Sequence, residues 1–392
     1  MVHPRLDRRG GAENVVLDIS RGLRARGYAV SIATARFSAS AWPDGAWDGL
    51  PVHRIEKRSD RLVPRAVRPR FRARRLASLA RDADVVVAHN FPATLWVAGA
   101  WPPGAGPRRV WYCEEPPERL YAAETLPTLM AAGAAGAEAH PWADGAFVER
   151  RNYVAARRPK ETVLDRRLDQ AAVPRYDAIY GNSHFIADAV ERVYGCAAQP
   201  LWCGVAVAES APAPPADPPY VAWVTNPRLA KNPLGTLEAI RLAAVEAPDL
   251  QVRVVGFDAS LRERVEQLGL GGHVTVLERL DDAAYADHIA AGRFLIYPSI
   301  DEPFGLVPIE AMARSRAVAA SRLGGPGETV EEGVTGLCFD PLDPADIARV
   351  LLELWRDPER CDALGRAGRV RYEAEFTLER FLDRFEAALQ PA

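Results

Sequence analysis

The sequence predicts an α/β protein of two domains, each built on a parallel sheet. Three observations carry this expectation. The chain has 392 residues, enough for two domains that each bury a core. Short apolar strands alternate with helical stretches in both halves, which implies helices packed on parallel sheets. Between the halves, Ala208-Glu-Ser-Ala-Pro-Ala-Pro-Pro-Ala-Asp-Pro-Pro219 reads as an extended, proline-rich linker. The expected parts are 1–205, a linker over 206–219, a second domain over 220–375 and a terminal helical stretch over 376–392.

Composition narrows the class. Hydrophobic residues at 48% and charged residues at 26% describe an ordinary soluble globular chain. A formal net charge of −3 gives no support for nucleic-acid binding. Five scattered cysteines without a C-x-x-C pair indicate neither a disulfide framework nor a zinc site, and fit a reducing cytoplasm. No signal peptide is evident, and no apolar run approaches the ~18 residues that a spanning helix needs.

The first half opens on Gly10-Gly11-Ala-Glu13, a turn into a helix from about Glu13 to Arg26 closed by Gly27. Only Met1-Val-His-Pro4 precedes it as a clipped strand, and Ala29–Thr34 reads as the next strand. Residues 54–81 carry eleven basic residues against Glu56 and Asp60. That run is either a solvated helix face or a patch attracted to anionic lipid headgroups. Asp84–His89 reads as a buried strand, and Arg109–Cys113 as a strand running into the polar turn that holds Glu114. Tyr176–Ser183 is a strand ending in an Asn-Ser cap, before a helix from His184 to Tyr194. In the second half, Tyr220–Thr225 is a strand. It leads into Asn226-Pro-Arg228-Leu-Ala-Lys231-Asn232, then a helix from about Leu234. An arginine and a lysine three apart in such a loop suit a diphosphate. Strands follow at Gln251–Phe257 and Val274–Glu278, and the amphipathic stretch Phe376–Leu389 reads as the last helix.

The chemistry concentrates in Ser299-Ile-Asp-Glu302-Pro-Phe304-Gly305-Leu306-Val-Pro-Ile-Glu310-Ala-Met-Ala313. A buried strand, Arg293–Pro298, precedes this loop, and a helix from Ile309 to Arg314 follows it. Gly305 lets a ligand approach the backbone, and the helix start offers free N–H groups to a phosphate. Glu310 lies one turn inside. From spacing alone the stretch is equally a capped helix with two solvated acids. The residues themselves go further: Glu302-Pro-Phe-Gly-Leu-Val-Pro-Ile-Glu310-Ala-Met-Ala resembles the E-x7-E signature of family 4 glycosyltransferases. These are retaining nucleotide-sugar enzymes with the GT-B fold.

Other segments share the resemblance. Gly10-Gly11-Ala-Glu13 is similar to the family's first loop, and Arg228 with Lys231-Asn232 to its phosphate-binding Arg/Lys pair, although Asn226-Pro227 replaces the usual glycine. Gly324-Gly-Pro-Gly-Glu328 is similar to Gly-Gly-Pro-x-Glu. A Cys-His-x-Pro-Pro segment of some members lines the acceptor side; here Glu114 replaces the histidine. The resemblance implies α/β architecture of the GT-B type, two Rossmann-like domains with parallel sheets facing across an interdomain cleft. It implies transfer of a hexosyl group, mannosyl or glucosyl, from a UDP- or GDP-linked donor to an acceptor hydroxyl, in glycan or glycolipid biosynthesis. The implied catalytic set is Glu302, Arg228 and Lys231. Donor binding adds Gly11, Leu277, Phe304, Gly305, Leu306 and Glu310, with His89 and Glu114 on the acceptor side. No metal and no cofactor beyond the donor is expected. The expected location is the cytoplasm, with peripheral contact to an anionic membrane. A nucleotide-sugar epimerase on the same fold and a non-catalytic glycan-binding paralogue remain as alternatives, and a dinucleotide oxidoreductase is disfavoured because no strand precedes a G-x-G-x-x-G.

Overall fold

The computed structural model describes residues 1–132, 159–207, 214–226, 228–256 and 259–391. Part of the linker and most of the 122–163 region, expected on the acceptor side, lie outside the described residues. Of those described, 1–125, 159–203 and 378–391 form one compact unit, and 126–132 with 204–377 form the other.

The first unit holds a seven-stranded sheet. Its strands are β1 (Val2–Leu6), β2 (Ile32–Phe37), β3 (Val52–Arg54), β4 (Val85–Ala88), β5 (Arg108–Cys113), β6 (Ala178–Gly181) and β7 (Gln199–Pro200). They are ordered β3-β2-β1-β4-β5-β6-β7, all parallel. Two expectations are corrected here. The first strand is not clipped at Pro4 but runs to Leu6, and the second begins at Ile32 rather than Ala29. Arg5 and Arg36 break the apolar alternation, yet they stand directly opposite each other in the β1–β2 ladder. Ladder pairing therefore carries both strands past the point where the side-chain pattern stops.

One face of this sheet is closed by the helix Leu378–Leu389. Its Phe381, Leu382 and Phe385 are buried, with Phe381 and Phe385 rings 5.8 and 5.6 Å from Tyr112 of β5. Each such ring contributes roughly 1.5–3 kcal/mol on burial. Gly22 of the helix Gly11–Ala25 permits the approach, because a Cβ there would lie 2.2 Å from Leu382 Cδ1. Arg26 then donates to Glu379, Asp383 and Glu386, each at 2.8 Å.

The second unit holds six parallel strands: β8 (Val221–Val224), β9 (Val252–Val255), β10 (Val274–Val276), β11 (Phe294–Tyr297), β12 (Ala317–Ser321) and β13 (Gly336–Phe339). Their order is β10-β9-β8-β11-β12-β13. All residues of β11 and β12 are buried, as expected of central parallel strands covered on both faces. Trp223, Ile240, Phe294, Phe339 and Leu351 belong to one apolar core. The order reverses between β8 and β11. Ligands of open α/β sheets bind outside the carboxyl ends of the strands at such a switch point.

Candidate active site

Two loops leave that switch point, one after β8 and one after β11, and they are joined by the Ile300 N–H donating to the Ala230 carbonyl at 2.7 Å. In the first, the Asn226 side chain accepts from the Arg228 N–H at 2.9 Å, and a 3₁₀ turn over Leu229–Lys231 follows. Leu229 and Ala230 are buried in a small cluster with Leu126, Leu129 and Ile300. That anchoring directs the lysine between them and the helix Pro233–Glu246. Arg228 is exposed.

The Lys231 ammonium donates to Glu302 Oε2 at 2.6 Å and to the Tyr297 hydroxyl at 2.8 Å. Both charged side chains are mostly buried, 15% and 19% exposed, so water screens the pair weakly. Burial alone would lower the Lys231 pKa; the Glu302 carboxylate and Tyr297 more than reverse this and hold it above the usual lysine value. Tyr297 is pushed up to about 12, by burial first and by the Glu302 charge second. An ammonium has three N–H donors. Among the described residues two are spent here, which leaves a third for an incoming oxygen.

The backbone that carries Glu302 is clamped from below. The Gly325 N–H donates to the Glu302 carbonyl at 2.8 Å, and the Asp301 carboxylate accepts from the Leu129 N–H at 2.9 Å. A Cβ on Gly325 would lie 2.2 Å from Phe304 Cα, so only glycine lets the two loops meet. The Gly324-Gly325-Pro326 motif thus acts through the loop it supports. Gly305 has φ 91° and leads into the helix Leu306–Met312. From that helix Glu310 accepts from the Tyr285 hydroxyl at 2.8 Å, and burial raises its carboxyl above the usual range.

The structure brings Lys231 and Glu302 together, and keeps Glu310 with Tyr285 as a separate pair. Two proposed donor contacts are narrowed. The Phe304 ring is buried near Phe376, 6.1 Å between centroids, which leaves its backbone for a ligand. The Leu277 N–H is committed to the Val254 carbonyl. Leu306 is half-buried at the helix start.

In the first unit, Gly11 is the exposed first residue of its helix. His89 and Glu114 follow β4 and β5 and share a 2.7 Å hydrogen bond between Nδ1 and Oε1. Burial lowers His89 to about 3 and raises Glu114 well above the carboxylate range. Burial thus disfavours the charged form of both partners in this hydrogen bond. His89 is fully buried, so it orients Glu114 rather than touching a ligand itself.

Sequence reasoning missed Tyr297 and Tyr285. Tyr297 carried a faint signal, a hydroxyl ending an otherwise apolar strand at the carboxyl edge of a sheet. Tyr285 carried none, since only the fold sets it against a residue on another helix.

The family description "Glycosyltransferase Family 4" matches residues 9–205, and "Glycosyl transferases group 1" matches residues 208–371. The human alpha-1,3/1,6-mannosyltransferase is 32% identical over 123 residues, 31% of this chain and 29% of that protein. D-inositol 3-phosphate glycosyltransferase of Thermobispora bispora is 32% identical over 174 residues, 41% of this chain and 40% of that protein. The chain therefore aligns with less than half the length of these curated relatives. Sucrose-phosphate synthase from Thermosynechococcus elongatus superposes with a TM-score of 0.72 at 20% identity, covering 99% of this chain and 97% of its own. HepE of Anabaena in complex with UDP gives 0.72 at 16% identity, covering 99% of each chain. At these identities the likeness is one of fold, two Rossmann-like parallel-sheet units of the GT-B class.

Proposed function

The chain belongs to glycosyltransferase family 4, and from that premise we propose that it transfers a hexosyl group from a nucleotide diphosphate sugar to an acceptor hydroxyl, with retention. The observation that carries this reading is the Lys231–Glu302–Tyr297 cluster at the switch point of the second sheet. In the reaction the anomeric C–O bond to the diphosphate breaks and a bond to the acceptor oxygen forms on the same face. The acceptor proton passes to the departing diphosphate.

Arg228 and the free donor of Lys231 neutralise that leaving group. Charge-assisted contacts of this kind are the main resource for stabilising a departing phosphate. Glu302 holds the donor sugar and favours the positive charge that develops at its anomeric carbon. Glu310 takes the ribose, leaving one carboxylate oxygen for it while Tyr285 holds the other. The backbone around Gly305 and Leu306 receives the phosphates, and the carbonyl side of Leu277 the base. Within the first unit, Gly11 is assigned to donor binding and Glu114, with His89 behind it, to the acceptor side. A donor linked to UDP fits the fold neighbour that holds UDP; GDP is the other candidate.

A thermal-shift panel of nucleoside diphosphates and nucleotide sugars, followed by transfer to model acceptors, tests the proposal. A true donor at 100 times its Kd should stabilise the fold by about 2.7 kcal/mol. A panel in which no nucleotide shifts the transition would end this reading.

A further inference from the structure

The first sheet has a switch point of its own, where the strand order turns between β1 and β4. Buried polar side chains gather there. The His3 and His89 rings lie 6.2 Å apart, and His89 is joined to Glu114 by the 2.7 Å bond described above. His3 and His89 are 1% and 0% exposed, whereas the Glu114 side chain keeps 9%, so Glu114 is the least buried of the three. Glu114 Oε2 has no hydrogen-bond partner, and neither has Asn90 Oδ1, next to His89 in the chain. Glu114 also lacks a counter-ion. Among the described residues its one ionisable partner is His89, whose charge burial suppresses, and no lysine or arginine pairs with it. Glu13, at the start of the helix Gly11–Ala25, faces the same region. Burial raises its carboxyl, and the Glu114 charge adds to the effect. The ion partner of Glu13, Arg8, stands at 3.7 Å and is largely exposed.

Two acids and an amide oxygen with one loosely held arginine call for a ligand that brings N–H donors and positive charge. A hydroxyl brings one donor and two lone pairs, whereas an ammonium brings three donors, no lone pair and the missing charge. A bound ammonium also offsets the burial that disfavours the Glu114 charge, since an opposite charge nearby favours the ionised form. A ligand made only of hydroxyls leaves both acids uncompensated. The histidine that some family members carry at this position supplies no negative charge, so Glu114 sets this chain apart from them. We propose that the glycosyl acceptor carries an amino group beside the hydroxyl that is glycosylated, and that Glu114 Oε2 holds it as an ammonium, with Glu13 adding charge from the neighbouring helix. The inference rests on the transfer reading above and names the class of its acceptor, an amine-bearing polyol.

Calorimetry on the full chain tests it, first with UDP and GDP and then with sugars, with and without nucleotide. Methyl glucoside is compared with its 2-, 3-, 4- and 6-amino-deoxy isomers and with their N-acetyl forms. At least one amine should bind about tenfold more tightly than methyl glucoside, the gain of a charge-assisted hydrogen bond over a neutral one. Its N-acetyl form should lose that gain. Glu114→Gln keeps the shape, removes the charge and should abolish the preference for the amine. Glu359→Gln removes the same charge from an exposed position of the second unit and should keep the preference. Circular dichroism checks that both variants fold, and the wild-type comparison decides by itself should Glu114→Gln fail to do so. Amines that bind no better than methyl glucoside, N-acetyl forms that bind as tightly as the amines, or a preference that survives Glu114→Gln would overturn the proposal. The transfer reading falls separately, on the nucleotide titration. Nucleotide binding without an amine preference leaves transfer standing, directed to a neutral polyol; an amine preference without nucleotide binding ends the transfer reading and keeps the ammonium site.

Discussion

Replacing Glu302 with glutamine should separate binding from turnover in an unusual direction. In the ligand-free protein the Lys231 ammonium is held 2.6 Å from Glu302 Oε2. A diphosphate that takes the remaining Lys231 donor shares the ammonium with that carboxylate, whose attraction holds it back. A hydrogen bond to a charged partner contributes about 1.5–3 kcal/mol, and a neutral one about 0.5–1.5 kcal/mol. Glu302→Gln keeps the shape and converts the first kind into the second, so about 1–1.5 kcal/mol of Lys231's attraction is released to the ligand. UDP or GDP should then bind about five- to tenfold more tightly. Turnover should move the other way, falling on the order of 100-fold, because the carboxylate that favours charge at the anomeric carbon is gone. Calorimetry with both nucleoside diphosphates and steady-state kinetics with the true donor read the two effects. Weaker binding of both nucleotides by a variant with an unchanged circular dichroism spectrum would refute the competition. An unchanged kcat would remove Glu302 from the chemistry.

Lys231→Ala should weaken the same nucleotides in the same titration by about 1.5–3 kcal/mol, while also leaving Glu302 without its counter-ion. Glu310→Gln and Tyr285→Phe should raise KM for the donor more than they lower kcat, the first more than the second, as expected for contacts with a part of the donor that does not react. Asp169 is buried, and burial raises it from 3.8 to about 6 against the opposing bonds from Tyr194, Tyr121 and Thr94. Between those values the folded state holds the proton that the unfolded state has lost, so stability should fall as pH rises from about 4 to about 6, by about 3 kcal/mol at 1.36 per pH unit. Urea melts of Asp169→Asn should show that slope flattened. Gly325→Ala should cost about 1–3 kcal/mol through the clash with Phe304 and weaken nucleotide binding with it, read by urea unfolding and calorimetry on one preparation.

How much of this was legible in the sequence varies with the range of the interaction that decides it. The apolar run at Phe294–Tyr297 declared itself, because central parallel strands are buried on both faces. So did the loop with Glu302 and Glu310, whose intervening residues are distinctive. The strand Val2–Leu6 was underread, because its far end is decided by a partner about thirty positions away. The helices Pro344–Arg356 and Pro358–Arg371 went unread, although proline stands in the first turn of each after an aspartate cap. Side-chain partnerships were the least legible. The residues flanking Lys231 and Glu302 gave no reason to join them, and His89 and Glu114 were placed on one side without the hydrogen bond that joins them.

The return of Leu378–Leu389 to the first unit has a consequence for how the protein is made. A ribosome delivers residues in order, and domains ordinarily fold as they emerge. Here the face of the first sheet that holds Tyr112 stays uncovered until Phe381 and Phe385 have been synthesised. The stretch from Gly204 to Thr377 must leave the ribosome before that happens. The unit translated first is therefore the last to be completed, and for most of translation it presents an unfinished apolar face to the chaperones of the cell. A stop codon ahead of Phe381 would leave that face open permanently, which makes the helix Leu378–Leu389 the checkpoint of biosynthesis rather than an appendage.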